Sequence, residues 1–149
     1  MSKASLPFSP RAQRGKIDKS ALALQPGVKP APVRREGDSA KHLQFVRGLP
    51  CLAAVAFGSD PTTEPRAGEA HHLLTDTGKP MGGKSPDRWT VPLAHVRHLD
   101  LHRLGERRYF EAIGIADPKA VASALWERSG DRAAALAWLE ANVRGRAQA

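Results

Sequence analysis

Five of the six histidines in this chain fall within one stretch, as His71, His72, His95, His98 and His102, while His42 stands apart. Imidazole is a common transition-metal ligand. Its ordinary pKa of about 6.5 also suits proton transfer at neutral pH. His98 and His102 are four residues apart, a spacing that stacks two side chains on one helix face and lets them hold a single divalent cation. The pair alone is a weak signal, because surface and core histidines meet that spacing by chance. His71 and His72 strengthen it, since they lie on a predicted strand upstream of the helix.

The elements that must position these rings are legible in outline. Residues 39–47 read as a short helix with Ser39 as N-cap, broken by Pro50. Residues 52–57 read as a strand or a buried turn. Residues 60–68, rich in Pro, Thr and Gly, form a loop. Residues 69–74 read as a strand. Residues 75–87 hold Gly78, Pro80, Gly82, Gly83 and Pro86 and read as an irregular loop. Residues 88–91 read as a second strand, ended by Pro92. Residues 94–104 then form a helix that stops at Gly105, with Leu93, Val96, Leu101 and Leu104 available for the core. Adjacent residues on a regular strand face opposite sides. One site therefore takes only one of His71 and His72, unless the strand twists or ends there, and His72 is the one kept. Further on, residues 107–112 extend or follow that helix. Asp117 and Pro118 open another helix, and Asp131 caps a last one. Their apolar residues, among them Val121, Leu125, Trp126, Leu136, Trp138 and Leu139, read as core packing.

Charge points to a polyanionic partner. The 149 residues carry a formal net charge of +8, and aromatics make up only 5%, so the core is small. The first 38 residues hold eight basic side chains, Lys3, Arg11, Arg14, Lys16, Lys19, Lys29, Arg34 and Arg35, against Asp18, Glu36 and Asp38. Five prolines and no sustained apolar period mark this stretch as a basic, disordered arm, either a non-specific phosphate tether or a plain solvated tail. Charge alone also fits a ribosomal protein or an anionic-membrane binder. A single cysteine, Cys51, excludes an intrachain disulfide and a disulfide-linked scaffold and suits a reducing cytoplasm. No secretory signal opens the sequence, and the most apolar run, residues 49–57, is too short to span a bilayer.

The order strand, loop, strand, helix, with Glu69-Ala70-His71-His72-Leu73 on the first strand, Val91-Pro92-Leu93 on the second and His98 and His102 after it, resembles the His-Me finger nucleases of HNH type. More narrowly it resembles phage and prophage nucleases of the recombination-enhancement kind. The residues carrying that likeness are Leu49-Pro50-Cys51, Ala70-His71-His72, the loop Gly83-Lys84-Ser85-Pro86-Asp87-Arg88-Trp89, Val91-Pro92-Leu93 and the downstream Ala124-Leu125-Trp126-Glu127-Arg128-Ser129-Gly130. The resemblance implies an α+β fold with a small ββα-metal core at 39–105, the basic arm at 1–38 and a C-terminal helical extension at 106–149. It implies His72 as general base, and His71, His98 and His102 as ligands of one divalent ion, Mg2+ or Mn2+ with Zn2+ open. Asp87 stands in for the usual Asn that orients the base. Lys84 and Arg88 join the arm as nucleic-acid-binding candidates. The implied partner is DNA, with RNA and a recombinase filament left open.

The chain departs from that pattern where many relatives bind a structural zinc through two Cys-x-x-Cys or Cys-x-x-His knuckles. The knuckle positions here read Cys51, Ala54, Ala94 and Arg97, so no structural zinc is expected and Cys51 reads as a buried thiol. That loss leaves two further readings open beside an active endonuclease: a nuclease relic that binds nucleic acid without cutting it, and a small basic partner-associated protein.

Overall fold

A computed structural model describes residues 36–75, 77 and 83–148. Most of the basic arm, including Lys3, Arg11, Arg14, Lys16, Lys19, Lys29, Arg34 and Arg35, lies outside the described residues. The chain divides into units at 1–33 and 34–149, and everything below concerns the second. It is a mixed α+β unit with one two-stranded antiparallel sheet among the described residues.

Helix α1 (Ala40–Gly48) starts where Ser39 Oγ accepts the His42 amide at 3.2 Å, the N-cap read from the sequence. Residues 52–57 are not a strand. Leu52–Ala56 forms a short helix, α2, whose Leu52, Ala53, Val55 and Ala56 are all buried. A segment apolar on every side carries no period to tell strand from helix. The hairpin follows, β1 (Gly68–His72) against β2 (Thr90–Ala94), with His71 opposite Val91 and Ala70 opposite Pro92.

Pro92 sits inside β2 instead of ending it, and the register explains why. The Leu73 amide donates to Trp89 O at 2.8 Å, so hydrogen-bonded rungs recur at His71–Val91 and Glu69–Leu93. Pro92 occupies the intervening rung, where a residue's N–H would point away from β1 and its absence costs the ladder nothing. Two residues on, the Ala94 amide points the same way and donates to Cys51 Sγ at 3.3 Å. Cys51 is a buried thiol that ties the start of α2 to the outer edge of β2.

Helix α3 (His95–Leu104) runs directly out of β2. Of the apolar residues assigned to its inner face, Leu101 is buried, but Val96 and Leu104 are 66% and 50% exposed. The inner face is shared by buried Leu101 and half-buried His98, with exposed His102 at its margin. Gly105, at φ 86°, breaks the helix and starts α4 (Glu106–Ala112) at once. Helices α5 (Pro118–Glu127) and α6 (Arg132–Asn142) follow, capped by Asp117 and Asp131 through the Ala120 and Ala134 amides. Their Val121, Leu125 and Leu139 share one apolar core with Leu52, Val55, Leu93 and Phe110. A two-stranded hairpin is marginal alone; this core is what holds it. No helix among the described residues is long and apolar enough to cross a membrane.

Candidate metal centre and the paired histidine behind it

The hairpin register and the α3 spacing bring His71, His98 and His102 together, with one ligand-capable atom from each lying within 4.8 Å of the others. His71 Nδ1 stands 3.0 Å from His98 Nε2, and the His98 and His102 rings stack at 4.8 Å. His71 is 2% exposed and closes the inner side of the cluster, whereas His102 is exposed, so the cluster opens to solvent along α3. Burial, with the neighbouring rings of His98, His102 and His72, pushes the His71 pKa down to about 3, which keeps the ring neutral.

Carboxylates flank the cluster on two sides. Glu69 Oε2 lies 2.7 Å from His98 Nδ1, and its Oε1 lies 2.8 Å from His95 Nδ1. Hydrogen bonds from His98 and His95 hold the Glu69 carboxyl below its ordinary range, against a smaller opposing effect of burial. His95 is therefore turned to Glu69. On the other side, Glu106 Oε1 lies 4.0 Å from His71 Nε2.

Proton placement tests whether these residues fit a cation. A neutral His98, the form that ligates a cation, would carry its proton on Nδ1 toward the Glu69 carboxylate and leave Nε2 a bare lone pair. If a proton on His71 Nδ1 filled the 3.0 Å gap, His71 Nε2 would be a second bare lone pair, buried and facing a carboxylate. That atom has no hydrogen-bond partner. A cation between His71 Nδ1 and His98 Nε2 removes the conflict, because the His71 proton then sits on Nε2. Two nitrogens each about 2.0–2.1 Å from one tetrahedral ion stand roughly 3.3 Å apart, close to the gap observed. The residues fit a divalent ion with imidazole ligands.

His72 goes the other way. It is the last residue of β1, and its Nε2 meets Asp87 Oδ1 at 2.8 Å. The ligand set His71, His98 and His102 is the one that gathers; only the alternative that a regular strand leaves His72 alone at the site is corrected, since the strand turns His71 to α3 and His72 to Asp87. Asp87 is a fixed acceptor. Its Oδ1 also receives Lys84 Nζ at 3.2 Å, its Oδ2 receives the Ser39 amide at 3.0 Å, and its own amide donates to Asp38 at 3.4 Å. Burial raises the Asp87 carboxyl, but the bonds from His72, Lys84 and Ser39 outweigh it and hold it below the usual carboxylate range. Residues 36–38, placed in the arm on sequence, are part of this support, since Gly37 O accepts the Arg88 amide at 2.9 Å.

The remaining candidates divide. Lys84 is largely exposed beside Asp87. Arg88 stacks on Trp89 at 4.6 Å with its Nε buried, so it packs against the loop that carries it. A cleft of about 380 Å³ opens beside the centre, bounded by Leu73, Thr75, Glu106, Phe110 and Lys119. Sequence reasoning assigns no role to Glu69 or Glu106. Glu69 sits two residues before His71, where strand alternation puts both side chains on one face, so a signal for it exists. Glu106 carries none. No family model, no curated protein and no solved structure matches the chain.

Proposed function

We propose that this protein is a metal-dependent endonuclease that hydrolyses phosphodiester bonds in DNA, with a ββα-metal core of the His-Me finger kind. The observation that carries the reading is the gathering of His71, His98 and His102 around one point, backed by Glu69, on a hairpin followed directly by a helix. One divalent cation held there would stabilise negative charge on the scissile phosphate and on the departing oxygen. Three imidazoles favour a zinc- or nickel-like ion over magnesium or manganese, which prefer oxygen ligands and water.

His72 is the proposed general base. Asp87 fixes the imidazole by accepting from Nε2, so the free Nδ1 lone pair takes the proton from the attacking water. The opposed directions of His71 and His72 suit this division. In-line displacement puts the attacking and departing oxygens on opposite sides of phosphorus, so a backbone laid across the end of β1 would meet the base on one side and the cation on the other. The two rings are near enough for His72 to depress the His71 pKa. Lys84, exposed beside the pair, supplies a phosphate contact, and the basic arm adds non-specific grip.

One observation favours a second reading. His72 is engaged with Asp87 and does not face the cluster, as in a protein that binds a phosphate at a cation without cutting. Incubating supercoiled and single-stranded DNA with the protein and Mg2+, Mn2+, Ni2+ or Zn2+ separates the two. Nicking that His72→Ala lowers by about 100-fold or more supports the enzyme. Equal cutting by His72→Ala removes the assigned base, and metal-dependent DNA binding without cutting by the wild type leaves the binder.

A further inference from the structure

We propose that Glu106 is a positioning residue for the metal centre: its carboxylate accepts a hydrogen bond from the His71 Nε2–H and so presents the bare Nδ1 to the cation. The inference rests on reading the histidine cluster as a metal site and assigns a role to a residue outside it.

The argument starts from His71 Nε2, a buried nitrogen without a hydrogen-bond partner. A ligating imidazole is neutral and holds one proton, so ligation through Nδ1 puts that proton on Nε2, where it needs an acceptor. Glu106 Oε1, 4.0 Å away on a side chain only 8% exposed, is the carboxylate there. Metal-bound histidines almost always pass their other N–H to such a group, which fixes the tautomer and raises ligand basicity. Glu69 does this for His98 at 2.7 Å, and Glu106 would complete the same arrangement on the opposite side of the cluster.

Glu106 is also held in place. Both its oxygens accept the Leu74 amide, at 2.8 and 3.1 Å, and Oε2 accepts Thr75 Oγ1 at 3.3 Å. The break at Gly105 makes Glu106 the first residue of α4 and brings it back beside the end of β1. The same carboxylate therefore ties the strand end to α4, and a test must separate that tie from an effect on His71.

Glutamine separates them, because its carbonyl oxygen still accepts the Leu74 amide while the charge is gone. Calorimetric titration of the full chain with Zn2+ and Co2+, alongside thermal unfolding of the metal-free protein, should show Glu106→Gln unfolding with the wild type but binding metal about 10–100-fold more weakly. Thr75→Val, which removes only the hydroxyl contact, should bind as the wild type does. A Glu106→Gln affinity equal to wild type overturns the inference and leaves the histidine site standing. Absence of Zn2+ and Co2+ binding by the wild type overturns both. A second measurement needs no variant: long-range proton–nitrogen correlation spectra of the zinc-loaded wild type should show His71 protonated on Nε2, and ligation through Nε2 would refute the assignment.

Discussion

His42 and His71 are both buried, yet their surroundings differ in kind. His42 packs edge-on against Trp126 at 4.8 Å and meets Ser129 Oγ at 2.9 Å, and its Nε2, like that of His71, is buried without a partner but faces no carboxylate within hydrogen-bond reach among the described residues. His71 faces two other imidazoles and a carboxylate. Leaving a buried nitrogen unsatisfied costs about 1–3 kcal/mol, roughly what one fully buried leucine contributes, so the fold can carry an incomplete site when metal-free. Burial drives both pKa values down, His42 to about 4 and His71 to about 3. A histidine depressed in the native state is protonated more readily in the unfolded chain. Its contribution to stability is therefore full above about pH 6.5 and is lost as pH falls toward those values. The midpoint of urea unfolding in EDTA should fall from about pH 7 to about pH 4.5. His42→Leu should flatten that slope, since the exposed Ser129 hydroxyl can turn to water. An unchanged slope would mean that His42 is not buried as described. Metal titration separates the strand neighbours: His102→Ala should weaken Zn2+ binding by about 10-fold or more, while His72→Ala, on the Asp87 side, should leave it within about 2-fold.

Elements show where reading residues in order succeeds and where it stops. The strand, strand, helix order and the α1, α5 and α6 caps are legible because alternation, N-cap chemistry and the i, i+4 rule act within a few residues. Sequence alone puts Pro92 at the strand's end, because its fitness for β2 depends on which rung it occupies, a property of pairing with β1. Period alone likewise assigns Val96 and Leu104 to the inner face of α3, whereas His98 and Leu101 hold that face, with exposed His102 at its margin. Of the site, His71, His72, His98 and His102 stand out in the sequence, and Asp87 enters only through the family resemblance. Which of His71 and His72 joins the cluster depends on the hairpin register, and Glu106 belongs to a turn set by Gly105. A similar dependence governs Gly114, at φ 74° after α4, where an added Cβ would strike the Arg146 carbonyl oxygen. Neither that backbone conformation nor the clash can be relieved by turning a side chain. Gly114→Ala should lower stability by about 2 kcal/mol or more in urea, and an unshifted midpoint would show that the C-terminal turn Arg146–Gln148 is not packed there.

At the scale of the whole molecule, charge and site divide the work differently from residue to residue. In the cluster burial keeps His71 neutral, and two carboxylates, Glu69 and Glu106, flank it, so when metal-free it offers little positive potential to a phosphate backbone. Arg88 is stacked on Trp89, and Lys84 leans on Asp87. Attraction at long range therefore falls to basic residues elsewhere, and eight of the chain's 23 lie in the first 35 positions. If the arm supplies the grip and the hairpin–helix centre the chemistry, the two should be separable in the full chain. Replacing those eight residues by Gln should weaken DNA binding and flatten its dependence on salt. The slope of log affinity against log salt should fall by about 0.9 for each duplex phosphate that the protein no longer neutralises. Zn2+ affinity should stay at the wild-type value, because none of the eight belongs to the histidine cluster. Fluorescence anisotropy across a salt series, paired with metal titration, reads both quantities on one preparation. A slope unchanged by the eight substitutions would move the phosphate-binding role onto the folded unit, and Lys84 would be the first residue there to replace.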